Sequence, residues 1–277
     1  GMFDLPVVQI GSVTMDGIEP VFMLGPCVIE SEPFIWDVAE KIDAMARQHG
    51  WRWIFKASYD KANRSAISSY RGIGCEAGCA LLAKIGEKLG VPVTTDIHTP
   101  EEAHQAAKYI DLLQIPAFLC RQTDLIVAAG ETGRAVNVKK GQFMAPWDVK
   151  NIADKLTAAG CKNFMFTERG TTFGYNNLVA DMRSLYWMRE LGYRVVMDAT
   201  HSVQRPGGLG TATGGDGKLA PVLARAAVAA GCDGVFMETH PDPAKAMSDG
   251  PNQIPLSQIA SVVESLRQIH AITRSIA

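Results

Sequence analysis

Eight short apolar segments alternate with eight amphipathic helical patterns along the 277 residues, and this alternation predicts an α/β fold, a closed (β/α)8 TIM barrel. The apolar segments are continuous rather than alternating, as expected for parallel strands that are buried on both faces. No linker rich in Pro or Ser interrupts them, so we expect one domain over residues 1–277. The length also suits a single barrel of about 250 residues.

The predicted strands are short and rich in Val, Ile, Phe and Met. They span residues 21–29, 52–57, 91–96, 112–116, 135–139, 162–167, 194–198 and 234–238. Residues 7–17 predict a short β-hairpin ahead of the first strand, at the bottom of the barrel. An open doubly wound sheet is the structural alternative, but it usually carries a glycine-rich phosphate motif after its first strand, and residues 25–31 lack one.

A helical segment follows each predicted strand. The segments span residues 33–49, 75–89, 99 onwards, 122–130, 146–159, 177–191, 219–230 and 256–275. Thr99, Pro100 and Glu102 form a capping box at the start of the third helix. Cys75 and Cys79 share one face of the second helix, where we expect buried small hydrophobic side chains rather than a metal pair.

The charge balance excludes some classes of protein. There are 27 Lys and Arg against 29 Asp and Glu, a net charge of −2, so there is no basic excess for binding nucleic acid. With 47% hydrophobic residues, the chain is not disordered. No apolar run approaches the roughly 20 residues that a membrane helix needs, and residues 1–6 do not resemble a signal peptide. We therefore expect a cytoplasmic protein with reduced cysteines and no membrane partner.

Polar side chains follow the end of every predicted strand, where barrel enzymes place their chemistry. One group is cationic and comes from several different strands: Lys56, Lys61, Arg64, Lys139 and Arg169. This concentration of positive charge predicts a small anionic substrate that carries phosphate or carboxylate. The alternative is that each cation pairs with a neighbouring acid. We favour it less because five cations lie on one rim of the barrel.

A second group could bind a metal ion. Cys27, His201, Glu238 and Asp249 would offer a thiolate, an imidazole and two carboxylates, a set that suits Fe²⁺, Zn²⁺ or Mn²⁺. Their sequence spacing forms no local motif, and a lone strand cysteine is more often part of a core. Only closure of the barrel, which brings the ends of the first, seventh and eighth strands together, favours a metal site.

Two loops complete the predicted rim of the barrel. Residues 203–218 contain six glycines, and a loop of this length is usually a mobile lid or a disordered excursion. Residues 170–177 form a second flexible segment. Plain solvent-exposed loops remain the alternative for both.

Several long motifs resemble one known family. They are Lys56-Ala-Ser-Tyr-Asp-Lys-Ala-Asn-Arg-Ser65, Gln114-Ile-Pro-Ala-Phe-Leu-Cys-Arg-Gln-Thr-Asp124, Asn137-Val-Lys-Lys140, Asp198-Ala-Thr-His201 and Glu238-Thr-His-Pro-Asp-Pro243. Over roughly residues 20 to 270 the chain resembles the 3-deoxy-D-manno-octulosonate 8-phosphate synthases. The resemblance implies a (β/α)8 barrel, a cytoplasmic homotetramer, and condensation of phosphoenolpyruvate with arabinose 5-phosphate on the route to lipopolysaccharide.

The resemblance also implies roles for individual residues. Lys139 and Arg169 would hold the phosphate of phosphoenolpyruvate in a site lined by Gln114 and Lys61, with Lys56 also contributing to substrate binding. Arabinose 5-phosphate would be bound by Lys61, Asn63, Arg64 and Ser65, the last two at its phosphate. Arg121 would reach the sugar phosphate bound to a neighbouring subunit, and residues 203–218 would close over both substrates.

Cys27 implies the metal-dependent branch of this family, because metal-free members carry Asn at that position. His201, Glu238 and Asp249 occur in both branches. The cofactor would therefore be a divalent ion, Fe²⁺, Zn²⁺ or Mn²⁺, held by Cys27, His201, Glu238 and Asp249. Lys61 and His201 are candidate proton donors, and Asp249 is also placed among the catalytic residues.

Two alternative functions stay open at this point. The sibling family, the 3-deoxy-D-arabino-heptulosonate 7-phosphate synthases, uses erythrose 4-phosphate and typically reads Lys-Pro-Arg-Thr where this chain reads Lys61-Ala-Asn-Arg-Ser65. The extra Asn63 fits a longer sugar. A non-catalytic barrel that binds a phosphorylated ligand is the alternative from a different class, and the full set of cations and metal ligands argues against it.

Overall fold

The computed structural model describes residues 3–62, 66–209, 212–215 and 217–276. Its first element is an antiparallel hairpin of Val8–Ile10 and Val13–Met15, as the sequence predicts. Val8, Ile10 and Met15 are buried in an apolar cluster with the first residues of several barrel strands, among them Leu112. The hairpin therefore covers the amino-terminal end of the barrel.

Eight parallel strands form the barrel, each paired with the next along the chain. They are β1 (Val21–Gly25), β2 (Arg52–Lys56), β3 (Val93–Asp96), β4 (Leu112–Ile115), β5 (Ala135–Lys139), β6 (Phe164–Glu168), β7 (Val195–Asp198) and β8 (Gly234–His240). The last strand, β8, pairs with both β7 and β1, which closes the sheet. The predicted (β/α)8 fold is confirmed, and the open-sheet alternative is wrong.

A helix follows each strand and packs its apolar face on the outside of the barrel. The helices are α1 (Glu32–His49), α2 (Cys75–Leu89), α3 (Pro100–Ala106), α4 (Thr123–Gly130), α5 (Val149–Ala158), α6 (Arg183–Glu190), α7 (Ala220–Ala230) and α8 (Ile259–Ile276). The Thr99 side chain accepts from the Glu102 amide, so the predicted cap of α3 is present. Within the described ranges, none of the helices is long and apolar enough to cross a membrane.

The loops at the carboxyl end of the barrel hold more regular structure than the sequence predicts. The helix predicted from residue 177 begins only at Arg183, because Leu178–Val179 instead pairs with Thr171–Thr172. In the predicted lid, Gln204–Leu209 and Ala212–Gly215 form an antiparallel hairpin despite their glycines. Closure of this segment over a ligand stays a prediction.

Candidate active site

The four predicted metal ligands meet at the carboxyl end of the barrel. One ligand atom each from Cys27, Glu238 and Asp249 lie within 4.8 Å of one another. The Nε2 atom of His201 is 3.4 Å from Glu238 Oε1 and 3.9 Å from Asp249 Oδ2. Cys27 and Glu238 are fully buried. Barrel closure thus joins residues that are far apart in sequence.

Backbone features hold two of these ligands in place. A Cβ atom on Gly25 would lie 1.7 Å from the carbonyl oxygen of Lys56, so only glycine lets β1 approach β2 two residues before Cys27. Asp249 has a left-handed φ of 51°, which costs an L-residue roughly 1 kcal/mol and is a strain often found at functional sites. The preceding residue, Ser248, places its Oγ atom 3.0 Å from the Cys27 sulfur.

The ligand set fits a divalent transition-metal ion. Among the described residues, Glu238 Oε1 is buried without a hydrogen-bond partner, which is costly unless something else occupies its lone pairs. Burial, and then the negative charge of Glu238, raises the pKa of the Cys27 thiol. A bound cation would reverse this effect, because a coordinating thiol is deprotonated. The mixture of thiolate, imidazole and carboxylates agrees with Fe²⁺, Zn²⁺ or Mn²⁺.

Asp198 orients the imidazole of His201. Its Oδ2 atom lies 2.6 Å from His201 Nδ1 and accepts a hydrogen bond of 2.6 Å from Lys139. Burial opposes ionisation of Asp198, but the charges of His201 and Lys139 hold its pKa well below the usual range. A carboxylate at Nδ1 favours a proton on that nitrogen, and the opposite ring nitrogen, Nε2, faces Glu238 and Asp249.

Three of the predicted cations converge on the same place. The ammonium groups of Lys56 and Lys139 lie over the Phe236 ring, 5.5 and 4.1 Å from its centre. Arg169 donates to the carbonyl oxygen of His201 at 3.3 Å, and its buried Nε has no hydrogen-bond partner in the part of the chain that the structure describes. Burial lowers the pKa of both Lys139 and Arg169, so an anionic ligand here would favour their charged forms.

Lys56 and Lys139 already have carboxylate partners, as the pairing alternative predicts. Lys56 donates to Glu238 at 2.6 Å and to the carbonyl oxygens of Pro26 and Cys27 at 3.3 and 3.0 Å. Its three ammonium hydrogens therefore all have acceptors within the protein. The predicted direct contact of Lys56 with substrate would require one of these bonds to be exchanged.

Lys61 is held by a network that sequence reasoning did not assign. Its ammonium donates to Ser58 Oγ at 2.7 Å, and Ser58 in turn donates to Asp96. Burial lowers the pKa of Lys61, but the negative charges around it, including Asp96 and Glu238, raise it overall. Lys61 is thus a fixed cation beside the metal ligands.

His98 extends this network toward α3. Its Nε2 lies 3.0 Å from Asp96, and its Nδ1 lies 3.0 Å from Glu102, which also accepts from the Tyr59 hydroxyl. Asp60 lies close to His98 and Glu102 but pairs with Arg71. The positive charges of His98 and Arg71 offset the negative charges of the carboxylates around them. The polar residues after the third predicted strand were the available signal for Asp96 and His98.

Two unpartnered polar atoms inside the barrel mark the space beside the cations. Gln114 and Asn137 occupy paired positions on β4 and β5, and both are buried. Within the described part of the chain, Gln114 Oε1 and Asn137 Nδ2 have no hydrogen-bond partner. Unpaired buried groups of this kind usually face a ligand or water.

Four predicted substrate contacts lie outside this buried cluster or outside the described residues. Asn63, Arg64 and Ser65 are not among the residues that the structure describes. Arg121 is exposed on the segment between β4 and α4, where Phe118 is also exposed. The structure does not bring Arg121 to the metal ligands of the same chain.

Comparison with known proteins identifies the family. Residues 8–274 match the DAHP synthetase I family. The 2-dehydro-3-deoxyphosphooctonate aldolase of Trichlorobacter lovleyi is 53% identical over 267 residues, 96% of this chain and 98% of that protein. The enzyme of the same name from Fusobacterium nucleatum is 52% identical over 274 residues, 99% of each chain. The chain belongs to the 2-dehydro-3-deoxyphosphooctonate aldolases of the DAHP synthetase I family.

Membership among the 2-dehydro-3-deoxyphosphooctonate aldolases confirms the resemblance drawn from the sequence motifs. A third relative of that name, from Granulibacter bethesdensis, is 52% identical over 270 residues, 97% of this chain and 96% of that protein. The chain is therefore an enzyme, and the non-catalytic barrel is excluded.

Proposed function

We propose that this enzyme condenses phosphoenolpyruvate with D-arabinose 5-phosphate and water, giving 3-deoxy-D-manno-octulosonate 8-phosphate and inorganic phosphate for lipopolysaccharide synthesis. The observation that carries the proposal is the convergence of Lys139 and Arg169 on His201. Two buried oxygens in the barrel, Gln114 Oε1 and Glu238 Oε1, have no hydrogen-bond partner among the described residues. The names of the relatives describe an octonate phosphate, which agrees with a five-carbon sugar phosphate plus a three-carbon unit.

The phosphate of phosphoenolpyruvate would lie between Lys139 and Arg169, with Gln114 and Lys61 lining the site. The Nε of Arg169, which has no partner within the described ranges, supports this assignment, since a guanidinium binds phosphate through two parallel hydrogen bonds. The lowered pKa values of Lys139 and Arg169, caused by burial, also agree with it. An anion would offset the cost of burying both charges.

Arabinose 5-phosphate would lie beside Lys61, with Asn63, Arg64 and Ser65 at its hydroxyl and phosphate groups. Arg121 would complete that phosphate site in a neighbouring subunit. Exposed aromatic side chains support a homo-oligomer, expected to be a tetramer: Phe118, Phe143 and Trp147 are 59%, 58% and 56% exposed in the single chain. Large exposed apolar side chains grouped on one rim are typical of a subunit interface.

In the proposed reaction, C3 of phosphoenolpyruvate uses its double-bond electron pair to attack the aldehyde carbon of the sugar. Water adds at C2, the aldehyde oxygen gains a proton, and the hemiketal phosphate expels inorganic phosphate through cleavage of the C2–O bond. Lys61, whose pKa is raised by surrounding negative charges, would stabilise the developing alkoxide as a fixed cation. The Asp249 carboxylate would accept the proton that the attacking water loses, and His201, whose Nε2 is assigned to the metal ion, would orient the reacting groups beside it.

Cys27, His201, Glu238 and Asp249 would hold a divalent metal ion, Fe²⁺, Zn²⁺ or Mn²⁺. When bound, it would supply a Lewis acid that orients the aldehyde or a water molecule. Asp198 would keep Nε2 of His201 free to bind the ion, and Lys56 would keep Glu238 ionised. We also infer a cytoplasmic location, supported by the six free cysteines, because disulfides are rare in that compartment.

Phosphate release tests the proposal. With metal and phosphoenolpyruvate present, we expect faster release with arabinose 5-phosphate than with erythrose 4-phosphate, and about 100-fold slower release for Lys139→Met. The matched control is Lys150→Met, which removes an exposed lysine that pairs with Asp154 and should leave turnover unchanged. A preference for the four-carbon sugar, or no release with either sugar, would overturn the proposal.

A further inference from the structure

Helix α2 begins with two thiols on one face, outside the cluster that holds the metal ligands. Cys75 is its first residue and Cys79 lies one turn later, with the two sulfur atoms 4.0 Å apart. The predicted shared face is present, but only Cys79 is fully buried, while Cys75 is partly exposed. Cys75 is therefore the more exposed of the two residues and the one nearer to solvent.

The geometry of α2 allows these two sulfurs to bond. Four residues along an α-helix separate Cα atoms by about 6 Å. Disulfides form over Cα separations of about 4.4–6.8 Å. The sulfurs of Cys75 and Cys79 are already in contact, so side-chain rotation can bring them to bonding distance with little movement of the backbone.

The surroundings make the two thiols chemically unequal. The helix has Gly74 as its N-cap and no side-chain cap, so its positive end lies next to Cys75 and favours a thiolate. The hydrogen bond from Cys79 lowers the pKa of Cys75, and burial together with the negative charges of Glu102 and Glu76 offsets this only in part. The same contact with Cys75, together with burial, raises the pKa of Cys79.

We propose that Cys75 and Cys79 form a peroxide-sensitive dithiol that closes into a disulfide within α2. The Cys75 thiolate attacks one oxygen of a hydroperoxide, the O–O bond breaks, and the leaving oxygen takes a proton, which makes Cys75 a sulfenic acid. The Cys79 sulfur then attacks the Cys75 sulfur, loses its proton, and the S–O bond breaks to release water. The two thiols lose two electrons and two protons, and the peroxide is reduced.

This disulfide would lie directly under the segment that carries Lys61. The Gly74 amide donates to the Tyr59 carbonyl oxygen at 3.2 Å, and a Cβ on Gly78 would lie 2.4 Å from Tyr59 Cβ, so α2 packs tightly against Tyr59. The side-chain rotation that closes the disulfide takes place against Tyr59, so it changes the packing at the base of the Lys61 segment. A rise in KM for the sugar phosphate follows, and this consequence, unlike the thiol chemistry, rests on the proposed function.

Peptide mapping tests the thiol chemistry without any activity measurement. The metal-loaded enzyme is treated with a small excess of hydrogen peroxide, denatured, alkylated and cut with trypsin. The fragment 72–84 contains Cys75 and Cys79 and no other cysteine. We expect this fragment to resist alkylation, to lose the mass of two hydrogen atoms, and to return to the dithiol with a reductant. Full alkylation of the fragment after peroxide would overturn the proposal.

Two single variants and one double variant serve as matched controls. In Cys79→Ser, dimedone should label Cys75 as a sulfenic acid, whereas in Cys75→Ser the thiol of Cys79 should stay open to alkylation. Equal oxidation of Cys161 and Cys232 would contradict a selective site. The double variant C75S/C79S should keep its KM for the sugar phosphate after peroxide, which separates this site from oxidation at Cys27.

Discussion

The Lys56 ammonium donates a hydrogen bond of 2.6 Å to Glu238 Oε2, and the two side chains are only 2% and 0% exposed. The same ammonium donates to the carbonyl oxygens of Pro26 and Cys27, so one charge joins β2, β8 and the segment after β1. Burial opposes ionisation of Glu238, but Lys56 and other nearby cations lower its pKa to about 2. This pairing keeps Glu238 a carboxylate where it is a candidate metal ligand.

Replacement of Lys56 should therefore destabilise the protein. Lys56→Met leaves the Glu238 charge buried without its partner, and we expect a loss of about 3–5 kcal/mol in the free energy of unfolding, measured in urea at pH 7. K56M/E238Q should recover part of this loss. The exposed pair of Lys150 and Asp154 supplies the control, since Lys150→Met should cost less than about 0.5 kcal/mol. Equal losses in the two lysine variants would contradict the prediction.

Asp198→Asn should impair the reaction through His201. The amide can donate to Nδ1, which moves the imidazole proton to Nε2 and points an N–H at Glu238 and Asp249. We expect kcat and metal affinity each to fall by about 10–100-fold, measured by phosphate release and metal titration. Asp233→Asn is the control, because Asp233 is buried and pairs with Arg194 at the opposite end of β8. A similar fall in kcat for the control would assign the effect to the fold.

His98 should make stability depend on pH. Burial lowers the pKa of His98, but its hydrogen bonds to Asp96 and Glu102 outweigh burial and raise it to about 10. A raised pKa in the folded state adds stability that is complete below about pH 6.5 and is lost as pH rises toward 10. The stability gap between the parent enzyme and His98→Gln should therefore narrow by roughly 3 kcal/mol from pH 6 to pH 9, measured by urea unfolding. An equal gap at both pH values would contradict the assignment.

Gly25→Ala tests the close approach of β1 and β2. A Cβ at this position would lie 1.7 Å from the Lys56 carbonyl oxygen, so the strands must separate, and we expect a loss of about 3 kcal/mol or more on urea unfolding. The control is Gly50→Ala at the end of α1, where φ is +77° and nothing lies within 4 Å of the added Cβ. That change should cost only about 1 kcal/mol. Equal costs would show that crowding at Gly25 is unimportant.

Sequence patterns predict the barrel because its interior is repetitive. Each apolar run must be buried on both faces, and each helix must cover one strand, so spacing alone identifies eight units. The exception is informative: residues 177–182 follow a helical pattern, but Leu178–Val179 pairs with Thr171–Thr172 instead. Local pattern could not anticipate that pairing, because it depends on how the rim segments fold back.

The positions of Cys27, His201, Glu238 and Asp249 could be predicted once the barrel was known, since strand ends must converge. The side chains that orient these ligands could not be predicted in the same way. Asp198 orients His201 and also pairs with Lys139 from β5, and the second partner is fixed only by tertiary structure. The same holds for Lys56. Its charge suggests a substrate contact, but its three donors are directed to protein oxygens.

Removal of metal tests the role of Cys27. Thorough chelation should abolish phosphate release, and adding back Fe²⁺, Zn²⁺ or Mn²⁺ should restore it. In Cys27→Asn, a neutral amide replaces the thiolate. Loss of an outer-shell partner lowers metal affinity by roughly 10–100-fold, and we expect the loss of a direct ligand to lower it by at least as much. Metal content after dialysis measures this change. Cys161→Ser is the control, because Cys161 lies before β6 at the far end of the barrel and should leave metal content unchanged. Full activity of the parent enzyme after chelation would refute the metal-dependent assignment.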